Sequence, residues 1–206
     1  MQDLSLNILD ITQNSIKAGA TLIEIDVLFH GSQLAIEIRD NGCGMDAETV
    51  RRVVDPFYTT RTTRKVGLGV PFFKMVSEMT GGSFHISSQV GTGTVIGATF
   101  ETGHVDCLPL GDVNETIWVL VSGNPDIDFV YTYGEGEKSF TLDTREIRQI
   151  MEGVPINHPQ VTQFLAEYLR ENTEAVSYTH LDVYKRQDHI IPRCDPLGKY
   201  DTGDIR

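Results

Sequence analysis

The sequence predicts an α/β chain of the α+β kind: a two-layer sandwich with helices on one face of a mainly antiparallel sheet, followed by a small appended α/β unit. Three observations predict it. An amphipathic helix opens the chain, two strand pairs with alternating hydrophobicity flank a second amphipathic helix, and an acidic stretch then brings strand and helix signals of its own. Of 206 residues, 40% are hydrophobic and 22% charged, enough to bury a sizeable core and too mixed for a collagenous, coiled-coil or disordered chain.

Within 3–18, Leu4, Ile8, Ile11 and Ser15/Ala18 recur at helical spacing, and Gly19 stops the helix. Ile23, Ile25, Val27 and Phe29 then alternate with Glu24 and Asp26. Leu34, Ile36 and Ile38 do the same beyond a His30-Gly31-Ser32-Gln33 turn, which predicts an antiparallel hairpin. Asp40-Asn41-Gly42-Cys43-Gly44 breaks that strand. A short helix is expected over 46–54 and an aperiodic Thr/Arg/Gly-rich loop over 55–69. Leu68, Phe72, Met75, Val76 and Met79 mark the second amphipathic helix. Its start is expected near Pro71, because proline fits only a first turn, and Gly81-Gly82 end it. Strands are expected over 84–88 and 94–100, joined by Val90-Gly91-Thr92-Gly93.

The acidic unit, 101–175, is expected to hold strands at 116–121, 129–133 and 138–142 and helices at 143–151 and 159–172. Charge separates it from 1–100. The first segment holds 10 acids and 8 bases, the second 14 and 4, and residues 176–206 hold 5 of each. The run from Val176 to Gln187 resembles a translated adaptor junction, so 176–206 is expected to be an artefactual or disordered tail foreign to the natural protein.

Several functions are disfavoured by what is absent. No apolar run reaches a membrane span and no secretory signal opens the chain, so a cytoplasmic, non-membrane protein is expected. Cys43, Cys107 and Cys194 are scattered without metal-ligand spacing, and no basic stripe offers nucleic acid a footprint. No P-loop and no GxGxxG motif occurs.

Three elements carry chemistry. Asp10 and Asn14 stand one helical turn apart with Lys17 beside them, a carboxylate, a hard amide oxygen and a cation on one helix face. Asp40 ends a strand where Gly42 and Gly44 let backbone approach a flat ring, and its carboxylate could accept from an amino group such as adenine N6. Gly67-Leu68-Gly69 precedes a helix whose amides can face an anion, with Arg61, Arg64 and Lys65 nearby.

In order, "DITQNSIKAGAT", "IRDNGCGM", "DPFYTTR…GLG" and "GTGT" resemble the N, G1, F, G2 and G3 boxes of the GHKL ATPase superfamily, which includes gyrase, MutL, the large heat-shock chaperone and sensor histidine kinases. The first boxes are most similar to MutL, and the later ones to histidine kinases. The resemblance covers 3–100 and implies a Bergerat, histidine kinase-like ATPase fold binding ATP and Mg²⁺. It implies Asn14 as metal ligand, Lys17 facing phosphate, Asp40 accepting from adenine N6, Gly42 and Gly44 lining the base, and Thr94 supporting adenine through water. The Thr59 to Lys65 loop, with Arg61, would act as an ATP lid hinged on Gly67 and Gly69, and Leu68 between them is expected among the nucleotide-binding residues. Asp10 stands where related hydrolases and anti-sigma serine kinases have Glu, and is the expected catalytic base.

No histidine is followed by the acidic residue of a phosphoacceptor site. The resemblance therefore implies a stand-alone protein kinase or ATP-driven regulatory switch acting on a partner protein through 101–175, with room for a homodimer. A hydrolysing clamp of the MutL or gyrase kind, or an ATP sensor without turnover, are the alternatives.

Overall fold

A computed structural model describes residues 3–55 and 68–187, with side chains as far as Ser177. Helix α1 (Leu4–Lys17) leads into the hairpin β1 (Leu22–His30) and β2 (Gln33–Asp40), then α2 (Ala47–Val53), α3 (Gly69–Met79), β3 (Phe84–Gln89) and β4 (Gly93–Glu101). Beyond these come α4 (Val113–Gly123), β5 (Asp128–Glu135), β6 (Lys138–Asp143), α5 (Thr144–Ile150) and α6 (Pro159–Gln187).

The alternating pattern sets the sheet. Ile23, Ile25 and Val27 of β1 and Leu34, Ile36 and Ile38 of β2 face inward with at most 2% exposure, in the register Ile25↔Ile38 and Val27↔Ile36. Against them pack Leu4, Ile8 and Ile11 of α1, and Phe73 of α3, whose ring meets Phe100 edge to face at 5.2 Å. The opposite face carries Glu24, Glu37, Arg39 and His85. Arg39 pairs with both glutamates, and His85 Nε2 lies 3.2 Å from Glu37.

All six strands form one sheet, ordered β3-β4-β2-β1-β5-β6. The acidic segment extends this sheet, because β5 pairs parallel with β1 over Leu22↔Asp128 to Phe29↔Glu135. The connector before α4 also closes the amino end of α1: Leu4 and Ser5 amides donate to the carbonyls of Pro109 and Leu110 at 3.0 and 2.8 Å, while the Asp3 side chain caps Leu6. The compact unit that contains both segments ends at Val176.

One expectation fails, and the start of α3 falls close to where the proline placed it. The strand expected over 116–121 is the helix α4, in which Val113, Thr116, Ile117, Leu120 and Val121 are buried at 3.6-residue spacing. Asp112 caps it by accepting from the Glu115 amide at 2.8 Å. Helix α3 begins at Gly69, two residues ahead of Pro71, so the proline occupies the third helical position, where its missing N–H costs no hydrogen bond. Among the described residues no helix is long and apolar enough to cross a membrane.

Candidate nucleotide-binding site

Asp40 ends β2, and both of its carboxylate oxygens are engaged. Oδ2 accepts from the Ser15 hydroxyl of α1 at 2.6 Å, and Oδ1 accepts from the Gly42 amide at 2.9 Å. A carboxylate oxygen accepts about two hydrogen bonds, so each keeps capacity for an incoming N–H donor. The turn behind it is fixed by Asn41, whose Oδ1 accepts from the amides of Thr21 and Leu22 at 2.8 and 3.0 Å, and by the Cys43 amide donating to Ala18 O at 2.9 Å.

The glycines here are held by close approach. A Cβ on Gly42 would stand 2.9 Å from Ala18 Cβ and 3.0 Å from Asp40 Oδ1, pressing on the carboxylate itself. Gly44 has φ +66°, and a Cβ there would lie 1.9 Å from the Gln89 carbonyl oxygen.

Thr94 is 8% exposed and sits opposite Asp40 in the β2–β4 register. Its hydroxyl lies 2.8 Å from Ser88 Oγ, which donates its proton to Gly93 O at 2.9 Å and accepts from the Met45 amide at 2.8 Å. With the Ser88 proton committed, Thr94 is the donor between the two hydroxyls and keeps acceptor capacity.

Asp10, Asn14 and Lys17 form an exposed stripe along α1, and Asn14 adjoins the Ser15 that holds Asp40. The start of α3 lies against the same stripe: a Cβ on Gly69 would come within 3.1 Å of Asp10 Cβ, and Asn7 Nδ2 donates to Gly69 O at 3.5 Å. Among the described residues Leu68 makes no side-chain cap hydrogen bond at the amino end of α3, the end whose dipole favours an anion. Among the candidate residues, Asp40, Gly42, Gly44 and Thr94 come together at one end of the sheet, and Asp10 meets Gly69. Thr59, Arg61, Lys65 and Gly67 lie outside the described residues.

The donor set fits a magnesium nucleotide. Mg²⁺ prefers a few protein oxygens plus phosphate and water, which an exposed Asn14 amide beside the Asp10 carboxylate allows. Sequence reasoning missed Ser15 and Ser88 as site residues. A hydroxyl on the buried stripe of α1, in line with Ile8 and Ile11, was the available signal for Ser15.

The family model for histidine kinase-, DNA gyrase B-, and HSP90-like ATPases matches residues 2–104, half of the chain. The chain belongs to this ATPase family. A protein named as a sensor from Shewanella frigidimarina (strain NCIMB 400) is 33% identical over 109 residues, covering 51% of this chain and 17% of that protein. The signal transduction histidine-protein kinase AtoS of Escherichia coli (strain K12) is 32% identical over 100 residues, 48% of this chain and 16% of that protein. The chain thus matches about one sixth of the length of these relatives. Among solved structures, the N-terminal domain of a DNA repair protein aligns with a TM-score of 0.50 at 17% identity, over 69% of this chain and 53% of that one.

Proposed function

We propose that the protein binds Mg-ATP at the end of β2 and that nucleotide occupancy governs its action on a partner protein, by phosphoryl transfer or as a switch. The observation that carries the reading is the Asp40 carboxylate, oriented from two sides by Ser15 and Gly42 with acceptor capacity remaining beside Thr94. An adenine places an N6 donor against such a carboxylate, and Thr94 supports the ring edge through water. Asn14 would hold Mg²⁺, which supplies charge neutralisation at the phosphates, Lys17 adds a cation, and the amino end of α3 faces the phosphates. Asp10 is the base that orients an attacking water or hydroxyl.

Calorimetry with Mg-ATP tests the pocket. Binding that is lost in Asp40→Ala supports the reading, and an unchanged isotherm overturns it. Incubation with γ-labelled ATP and candidate partners then separates the chemistry: acid-stable label on a partner supports a protein kinase, released phosphate supports hydrolysis, and neither supports a sensor.

A further inference from the structure

We propose that the groove between α4 and α6, built around Trp118, docks a basic segment of the partner, with an arginine or lysine side chain entering beside the indole. The proposal deepens the partner half of the reading above and rests on it. The groove is a cavity of about 440 Å³ lined by Trp118, Asp112, Asn114, Glu115, Glu167 and Arg170. It lies outside the residues 2–104 that match the ATPase family.

Its chemistry selects a donor-rich cation. Trp118 is partly buried against the core, its Nε1 donates to Thr162 O at 2.9 Å, which fixes the ring, and the part of the indole that lines the groove can meet a cation. Three carboxylates surround it against one guanidinium. Asp112 and Glu115 belong to the α4 cap and first turn, so their backbone is anchored. Asn114 gives Nδ2 to Thr173 Oγ1 at 2.7 Å, while its buried Oδ1 has no partner among the described residues. Acceptors therefore outnumber donors among the lining side chains, and a guanidinium or ammonium supplies what is missing.

The wider field points the same way. Residues 101–175 carry 14 acids against 4 bases, and two of those bases, Arg145 and Arg148, are paired internally with Asp143 and Asp128. A partner with a basic segment is steered toward this surface, and the groove gives it one place to stop. An anionic occupant would meet net repulsion, since the α4 amides already have their carboxylate in Asp112.

Trp118 is the single tryptophan of the chain, so its emission reports the groove directly. Oligo-arginine titrated into the protein should shift that emission saturably and more weakly at high salt. Replacing one exposed carboxylate of the groove, Glu167→Lys, should weaken the apparent affinity about fivefold. The equal charge change Glu137→Lys, in the β5–β6 turn, should not. No emission change, equal weakening by Glu137→Lys, or binding of oligo-glutamate in place of oligo-arginine overturns the proposal. Mg-ATP calorimetry on the same samples distinguishes the two readings: nucleotide binding without peptide binding removes the groove alone, and peptide binding without nucleotide binding removes the ATP site alone.

Discussion

The Ser15 hydroxyl stands 2.6 Å from Asp40 Oδ2, joining the last turn of α1 to the end of β2 across 25 residues of sequence. That contact orients the carboxylate while the neighbouring Asn14 points to solvent. Ser15→Ala should weaken Mg-ATP binding by about tenfold, the worth of a hydrogen bond to a charged group, with the fold retained. Calorimetry beside circular dichroism checks it, and an unaltered affinity would show that Asp40 needs no support from α1.

Gly44→Ala should destabilise the protein by about 1–3 kcal/mol, because the residue combines a positive φ with backbone contact at Gln89 that no side chain can relieve. Urea denaturation measures the loss. Gly31→Ala shares the positive φ but meets nothing within 4 Å, so it should cost less.

Asp26 on the open sheet face has its pKa raised, chiefly by burial, with the Thr132 hydrogen bond and Arg39 opposing and Glu37 and Glu24 adding to the rise. A group whose folded pKa exceeds its unfolded value favours folding when protonated, and that contribution disappears as pH climbs through the folded value. Asp26→Asn should therefore raise the melting temperature at neutral pH and lose that advantage in acid. Equal melting shifts at both pH values would refute the assignment.

Leu120→Ala on α4 should cost about 2–5 kcal/mol, since Leu120 is fully buried in the core that also contains Leu4 and Ile8 of α1. Because both segments share one sheet, the variant should unfold in a single shifted transition. Two separate transitions would mean that 101–175 folds by itself.

Asp10→Asn should slow phosphate release or transfer by about 10²–10⁴-fold while leaving Mg-ATP affinity close to that of the parent protein. Radiolabelled assays read the rate, and an unchanged rate would remove Asp10 as the base.

The hairpin and the α1 stripe were legible because each buries one face, so alternation or helical spacing is written directly into Ile23, Ile25 and Val27 or Leu4, Ile8 and Ile11. The Asp40 corner was legible from its glycines. Helix α4 was not, because Thr116-Ile117-Trp118-Val119-Leu120-Val121 is rich in β-branched and aromatic residues, and tertiary burial overrode their strand preference. The Asp112 and Glu115 pair, three residues apart, was the capping signal against it. The continuity of the sheet was equally hidden, since the pairing of β1 with β5 joins residues more than a hundred positions apart. The roles of Ser15 and Ser88 likewise depend on partners distant in sequence.

The place of β5 beside β1 constrains biosynthesis. As the chain leaves the ribosome, the hydrogen-bonding edge of the second element stays bare until residue 135 has emerged. During that interval a chaperone, or another nascent copy, can compete for the same edge.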